Sequence, residues 1–99
     1  MINKDEIIEL FGSMEEYQKI LKHYLADENF KLYKAYIAAK DYALAIDTIK
    51  GLYILALDLR KLNLYYRLLD LYDALSKKEE KSYNKLIKEI DKEWKLAHE

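Results

Sequence analysis

The chain of 99 residues has no proline, no cysteine and only two glycines, Gly12 and Gly51. Missing proline and scarce glycine remove the usual punctuation of strands and hairpins, so an all-α chain is expected, with breaks supplied by capping residues. Missing cysteine excludes a disulfide framework and a thiolate metal site. Charge of one sign is not in excess either: 17 basic residues face 18 acidic ones. That balance argues against a nucleic-acid partner. No stretch approaches the roughly 18 uncharged apolar residues of a membrane span, and no N-terminal run is flanked like a signal peptide. The expectation is a cytoplasmic protein with no membrane partner.

What is present is apolar. At 52% apolar residues, one domain over residues 1–99 can close a single core without metal or covalent staples. Gly12 is placed to end a short first helix over Asp5 to Phe11. Ser13 and Glu16 then form an S-x-x-E capping box for the next helix, whose stripe is Tyr17, Ile20, Leu21, Tyr24 and Leu25. A break near Ala26 follows, with Asp27 capping a segment that turns Phe30, Tyr33 and Ile37 inward. Asp41 is a plausible N-cap for an unusually apolar helix from Tyr42 to about Leu59. Leu64, Leu68, Leu71 and Leu75 make a further stripe. Ser76 and Glu79 repeat the S-x-x-E pattern before the last face, Tyr83, Leu86, Ile87, Ile90 and Trp94. The fold class predicted is an antiparallel four-helix bundle with a short additional N-terminal helix.

Charges are densest in KKEEKSYNKLIKEIDKEWK, where Asp91 and Lys95 fall at helical neighbour spacing, the pattern of a solvated face. The ten tyrosines lie mostly on the inward stripes or their borders, which suits amphipathic core filler better than a ligand cage. No E-x-x-H pair, H-E-x-x-H string or glycine-rich loop occurs. Catalysis, a metal and a bound cofactor are therefore not expected.

The apolar helix carries the most informative stretch, AIDTIKG at residues 45 to 51. On a helical wheel, Tyr42, Ala45, Ile46, Ile49, Leu52, Tyr53 and Ala56 share the core face. The opposite face centres on Asp47, Gly51, Ile54 and Asp58, flanked by Leu44 and Leu55. A mid-helix glycine costs about 1 kcal/mol against alanine. Two reasons for it are available. Gly51 admits the close approach of a neighbouring helix, or it clears space beside Asp47 for another protein, with the aliphatic groups as a docking patch.

Asp47-Thr48-Ile49-Lys50-Gly51 resembles the acceptor motif of histidine-containing phosphotransfer (HPt) domains, H-[ST]-[LI]-K-G, with Asp47 at the place of the phospho-accepting histidine. Upstream, FGSMEEYQKILKHYLADENF and AAKDYALA are similar to the family's bundle helices and to the acidic turn before its acceptor helix. Downstream, LYYRLLDLYDAL is similar to the helix that packs behind it. The resemblance implies a phosphorelay module of two-component signalling that is not itself an enzyme. Its partners would be a response-regulator receiver domain or a sensor histidine kinase. Lys50 and Gly51 would lie next to the phosphate. Leu44, Asp47, Thr48, Lys50, Gly51, Ile54 and Leu55 would form the partner-binding face.

In the family's chemistry a neutral imidazole attacks a receiver's acyl phosphate. A carboxylate is anionic at neutral pH, weakly nucleophilic and shorter, so Asp47 is expected not to accept phosphate. Neither His23, on another helix, nor His98, near the chain end, is placed to substitute for it. Two more departures accompany Asp47: Ala56, Leu57 and Asp58 stand where the family has a second glycine, and the interval from Lys50 to Leu64 is longer by nearly a turn. AKDYALAI also resembles part of a tetratricopeptide repeat, but no second copy at a period of about 34 residues accompanies it. The first reading is thus a degenerate HPt module that binds receivers or a kinase. The alternatives are a true phosphocarrier whose histidine has been replaced, and a structural protein that buries the same face in a homodimer.

Overall fold

The computed structural model describes residues 3–98, and among them every regular element is helical. In order these are α1 (Lys4–Phe11), α2 (Met14–Leu25), α3 (Asn29–Ala38), α4 (Tyr42–Asp58), α5 (Leu62–Ser76), a 3-10 turn (Glu80–Ser82) and α6 (Tyr83–Ala97). The elements pack into a rod of 41 × 22 × 20 Å. None of the helices among the described residues is long and apolar enough to cross a membrane.

Capping chemistry sets the breaks near the N-terminus. Asn3 accepts the Asp5 N–H at 2.7 Å and starts α1, and Gly12 ends it at φ 91°, a conformation that other residues adopt only with strain. Ser13 then accepts the Glu16 N–H at 3.1 Å, the expected start of α2. Asp27 is not the N-cap of α3: that position is Glu28, which makes no side-chain cap bond, and Asp27 accepts the Asn29 N–H at 2.8 Å from one residue further out.

Three residues separate α2 from α3. Tyr17 donates its hydroxyl to the Leu59 carbonyl and Tyr24 donates to the Leu52 carbonyl, each at 2.7 Å. Advancing from 17 to 24 in α2 thus matches retreating from 59 to 52 in α4, which makes the two helices antiparallel. α3 continues that direction beside the first half of α4. At the far end, Trp94 of α6 reaches back to donate to the Leu25 carbonyl at 2.9 Å, and Lys34 pairs with Asp91 at 2.6 Å. These contacts bring α6 back against α3 and the end of α2, and the helices form one compact all-α bundle.

One turn geometry joins the last three hairpins. Lys40, Arg60 and Lys78 take φ of 59°, 60° and 59°. The following amides, of Asp41, Lys61 and Glu79, donate back to Tyr36, Ala56 and Ala74 at 2.8, 2.9 and 2.9 Å. This is the Schellman arrangement, which satisfies the last carbonyls of a helix and reverses the chain at once. It also corrects the expected second capping box. Ser76 is the last residue of α5, and α6 is entered through the 3-10 turn, where Ser82 donates its hydroxyl to the Glu79 carbonyl at 2.7 Å. Ser76 and Glu79 therefore sit across a helix C-terminus, where no orphan amides await a cap.

The core runs the length of the rod. Tyr33, Ala45, Ile49, Leu68, Leu71 and Ile90 have no exposed surface. At about 25 cal/mol per Å² of apolar surface removed from water, burying such an aliphatic side chain stabilises by roughly 1.5 to 3 kcal/mol. Of the tyrosines, only Tyr66 is exposed, so the aromatic content serves mainly as core filler.

Candidate functional site

The wheel drawn for the fourth helix holds in three dimensions. Ala45, Ile49, Leu52 and Ala56 are buried against α3 and α5, while Tyr42, Ile46 and Tyr53 pack at the border. With that face committed inward, the sequence forces Asp47, Lys50, Gly51 and Asp58 outward, and all four are exposed. Three aliphatic side chains share the outer side: Leu44, Ile54 and Leu55 are 46%, 45% and 45% exposed. Leu57 adds another nearby.

Gly51 is the feature that packing does not explain. A Cβ built there meets nothing within 4 Å, so no neighbouring helix uses the missing side chain for a close approach. The first of the two reasons weighed above is thereby removed. The glycine opens one side of Asp47, a turn away along the same face. Neither Asp47 nor Lys50 makes an ion pair among the described residues, despite their helical neighbour spacing. Thr48 behaves differently: half-buried, it donates its hydroxyl back to the Leu44 carbonyl at 2.7 Å. That proton is spent within the helix, leaving only the oxygen lone pairs to offer a partner.

The geometry brings Leu44, Asp47, Thr48, Lys50, Gly51, Ile54 and Leu55 onto one open, convex strip. Two grooves lie elsewhere on the rod, of about 330 and 430 Å³, one beside the α4–α5 turn and the other at the α2–α3 break against α6. A strip without a pocket suits contact with a macromolecule better than capture of a small molecule. No cluster of three or more metal-ligating side chains occurs among the described residues. His23 is exposed on α2, and His98 donates from Nδ1 to the Trp94 carbonyl at 2.8 Å while its ring meets the indole edge-on. Neither lies on α4, the helix of Asp47.

Two features escaped the sequence reading. Asp91 pairs with Lys34 across the α3–α6 interface, not with Lys95 along its own helix, and Glu89 turns to Arg67 at 3.6 Å. Two of the three acids of α6 are drawn sideways, and its lysines are left without partners among the described residues. The other feature is the Tyr33 hydroxyl, fully buried with no hydrogen-bond partner. Burial, with the nearby Asp91 carboxylate adding to it, holds its pKa far above the ordinary tyrosine value. A stripe pattern shows that Tyr33 faces inward, but only coordinates show what its oxygen meets.

Compared with profiles of known protein families, with curated proteins and with solved structures, the chain matches none.

Proposed function

We propose that this chain is a degenerate HPt-like module that docks a receiver domain or a sensor histidine kinase without itself carrying phosphate. In this reading α2 and α3 count as one interrupted arm of an antiparallel four-helix bundle, with α1 as the additional short N-terminal helix. The observation that carries it is the open surface at Gly51 beside exposed Asp47 and Lys50, ringed by Leu44, Ile54 and Leu55. An exposed glycine in mid-helix that admits no neighbour is a standing destabilisation of about 1 kcal/mol. Access for another molecule supplies the missing reason.

The roles follow from chemistry. The aliphatic ring contributes apolar area to a partner, and Lys50 offers a cation to the acidic pocket of a receiver. Asp47 stands where transfer would need a neutral nucleophile, and its anionic oxygen instead accepts hydrogen bonds or faces a receiver-bound cation. The module therefore competes for receivers or tethers them.

The test is a mixing experiment with a phosphorylated receiver and two proteins, the chain as it stands and Asp47→His. Binding by both with label on the histidine variant alone is the expected result. Label on the unaltered chain, or binding by neither, overturns the proposal.

A further inference from the structure

The outermost face of α6 is a ridge of lysine. Lys85, Lys88, Lys92 and Lys95 of α6 are all exposed, as is Lys81 in the preceding 3-10 turn. On a helix of 3.6 residues per turn the four of α6 fall within about 40° of one line, over a length of about 15 Å. That line lies opposite the side carrying Tyr83 and Ile90, which are buried in the core. No ion pair among the described residues uses any of these five lysines. Of the flanking acids, Glu89 and Asp91 are held by Arg67 and Lys34, and Glu93 makes no ion pair among the described residues. The overall balance of 17 basic and 18 acidic residues conceals this separation.

Such a ridge calls for an anionic counterpart, and its shape selects among them. The one aliphatic side chain beside the crest is Leu96, exposed one turn beyond Lys92 at its C-terminal end, and lysine is depleted from protein interfaces, which draw on several such anchors. Of the arginine, asparagine and glutamine side chains that read base edges, α6 offers one, Asn84, at the flank of the crest's N-terminal end. A nucleic-acid groove wrapped around α6 would bring its phosphate walls against Glu89 and Glu93 on one side and Asp91 on the other. A plane touches only the crest. The molecule is a rod 41 Å long and 22 × 20 Å in section, and the ridge of α6 faces away from its core, a shape that suits a flat surface.

We propose that the α6 lysine ridge docks the protein peripherally on an anionic lipid bilayer, by electrostatic attraction to headgroup phosphates and carboxylates and without insertion. Exposed lysines beside an anionic leaflet each strengthen partitioning about fivefold, and a cluster of four to eight is the usual size of such a site. The attraction is long-range but screened, so it weakens steeply as salt rises. α6 meets the start of α4 through the Tyr42–Tyr83 contact, yet its ridge points away from the core, so a bilayer there leaves the outer face of α4 open.

Co-sedimentation with vesicles of phosphatidylcholine, with and without about one-third phosphatidylserine, tests the idea on the full chain. Binding to the phosphatidylserine vesicles alone is expected, with loss at high salt. Replacing Lys85, Lys88, Lys92 and Lys95 by Gln should lower partitioning by two to three orders of magnitude, as about fivefold per lysine compounds. A control with Lys4, Lys19, Lys22 and Lys61 changed to Gln should retain most of the binding. Circular dichroism on both variants verifies that each remains folded. Equal loss in the two variants, no dependence on phosphatidylserine, or capture by RNA or an acidic polypeptide but not by vesicles would overturn the proposal.

Discussion

Tyr24 donates its hydroxyl to the carbonyl of Leu52 at 2.7 Å, directly behind the opening at Gly51. The bond ties α2 to the stretch of α4 backbone whose outer side bears Asp47 and Lys50. Tyr24→Phe removes the donor but leaves the carbonyl its ordinary helical partner, so the loss should be close to that of one net hydrogen bond, about 1 kcal/mol. Urea denaturation would measure it, and an unchanged midpoint would mean the tie contributes nothing.

The Tyr33 hydroxyl should respond in the opposite sense. It is buried without a partner, so its desolvation is not compensated. Tyr33→Phe is expected to be neutral or to stabilise by up to about 1 kcal/mol. A destabilisation as large as that of Tyr24→Phe would reveal a partner, such as a trapped water.

Lys40 and Lys78 occupy left-handed positions that glycine adopts freely. Changing either to Gly should raise stability by a few tenths to about 1 kcal/mol, since the strain relieved in the fold exceeds the freedom gained by the unfolded chain. Arg60 should not follow them. It donates to Glu6 at 3.0 Å and to the Leu57 carbonyl at 3.0 Å, ties that Arg60→Gly would sever. Thermal melts of the three single variants give the comparison.

Gly51→Ala adds a methyl group into open space on a helix, and should stabilise by up to about 1 kcal/mol. Gly51→Glu should fold equally well yet abolish docking on that face. Sedimentation of the parent and of Gly51→Glu bears on the homodimer alternative, because a dimer built on α4 would fall apart in the variant. A monomer in both cases excludes it.

Alkali should unfold the protein early. Burial raises the pKa of Tyr17, and raises those of Tyr24 and Tyr33 further, with Asp27 and Asp91 adding to the last two. Below about pH 10 both states keep these protons and the stability is whole. Above it the unfolded tyrosines ionise while the folded ones remain protonated. Stability then falls with rising pH, by up to about 1.4 kcal/mol per pH unit for each group. Denaturant midpoints between pH 9 and pH 12 (a range of about three units) would trace the slope, and a flat profile would contradict the buried environment of these hydroxyls.

The helices and the outward face of α4 were legible in the sequence because local rules determine both. Ser13, Asp41 and Gly12 mark breaks by backbone chemistry alone, and the 3.6 period separates Ile49 from Asp47. The connection after Ser76 was misread because an S-x-x-E string has the same letters at either end of a helix. Only the position of the last core leucine, Leu75, decides between them. The lysine ridge escaped for a different reason. Asp91 and Glu89 lie close enough in sequence to neutralise it, and only the packing of α3 and α5 against α6 shows them engaged elsewhere.

The reversals at Lys40, Arg60 and Lys78 also bear on how the chain finds its shape. Each joins helices adjacent in sequence, so three hairpins can zip up locally with little loop-closure entropy, the topology associated with folding in microseconds to milliseconds. Among the described residues the side-chain hydrogen bond of longest sequence separation joins α6 to the end of α2, and the single tryptophan makes it, bonded to the Leu25 carbonyl. Its fluorescence therefore reports the closing event of assembly, separately from the earlier rise of helix.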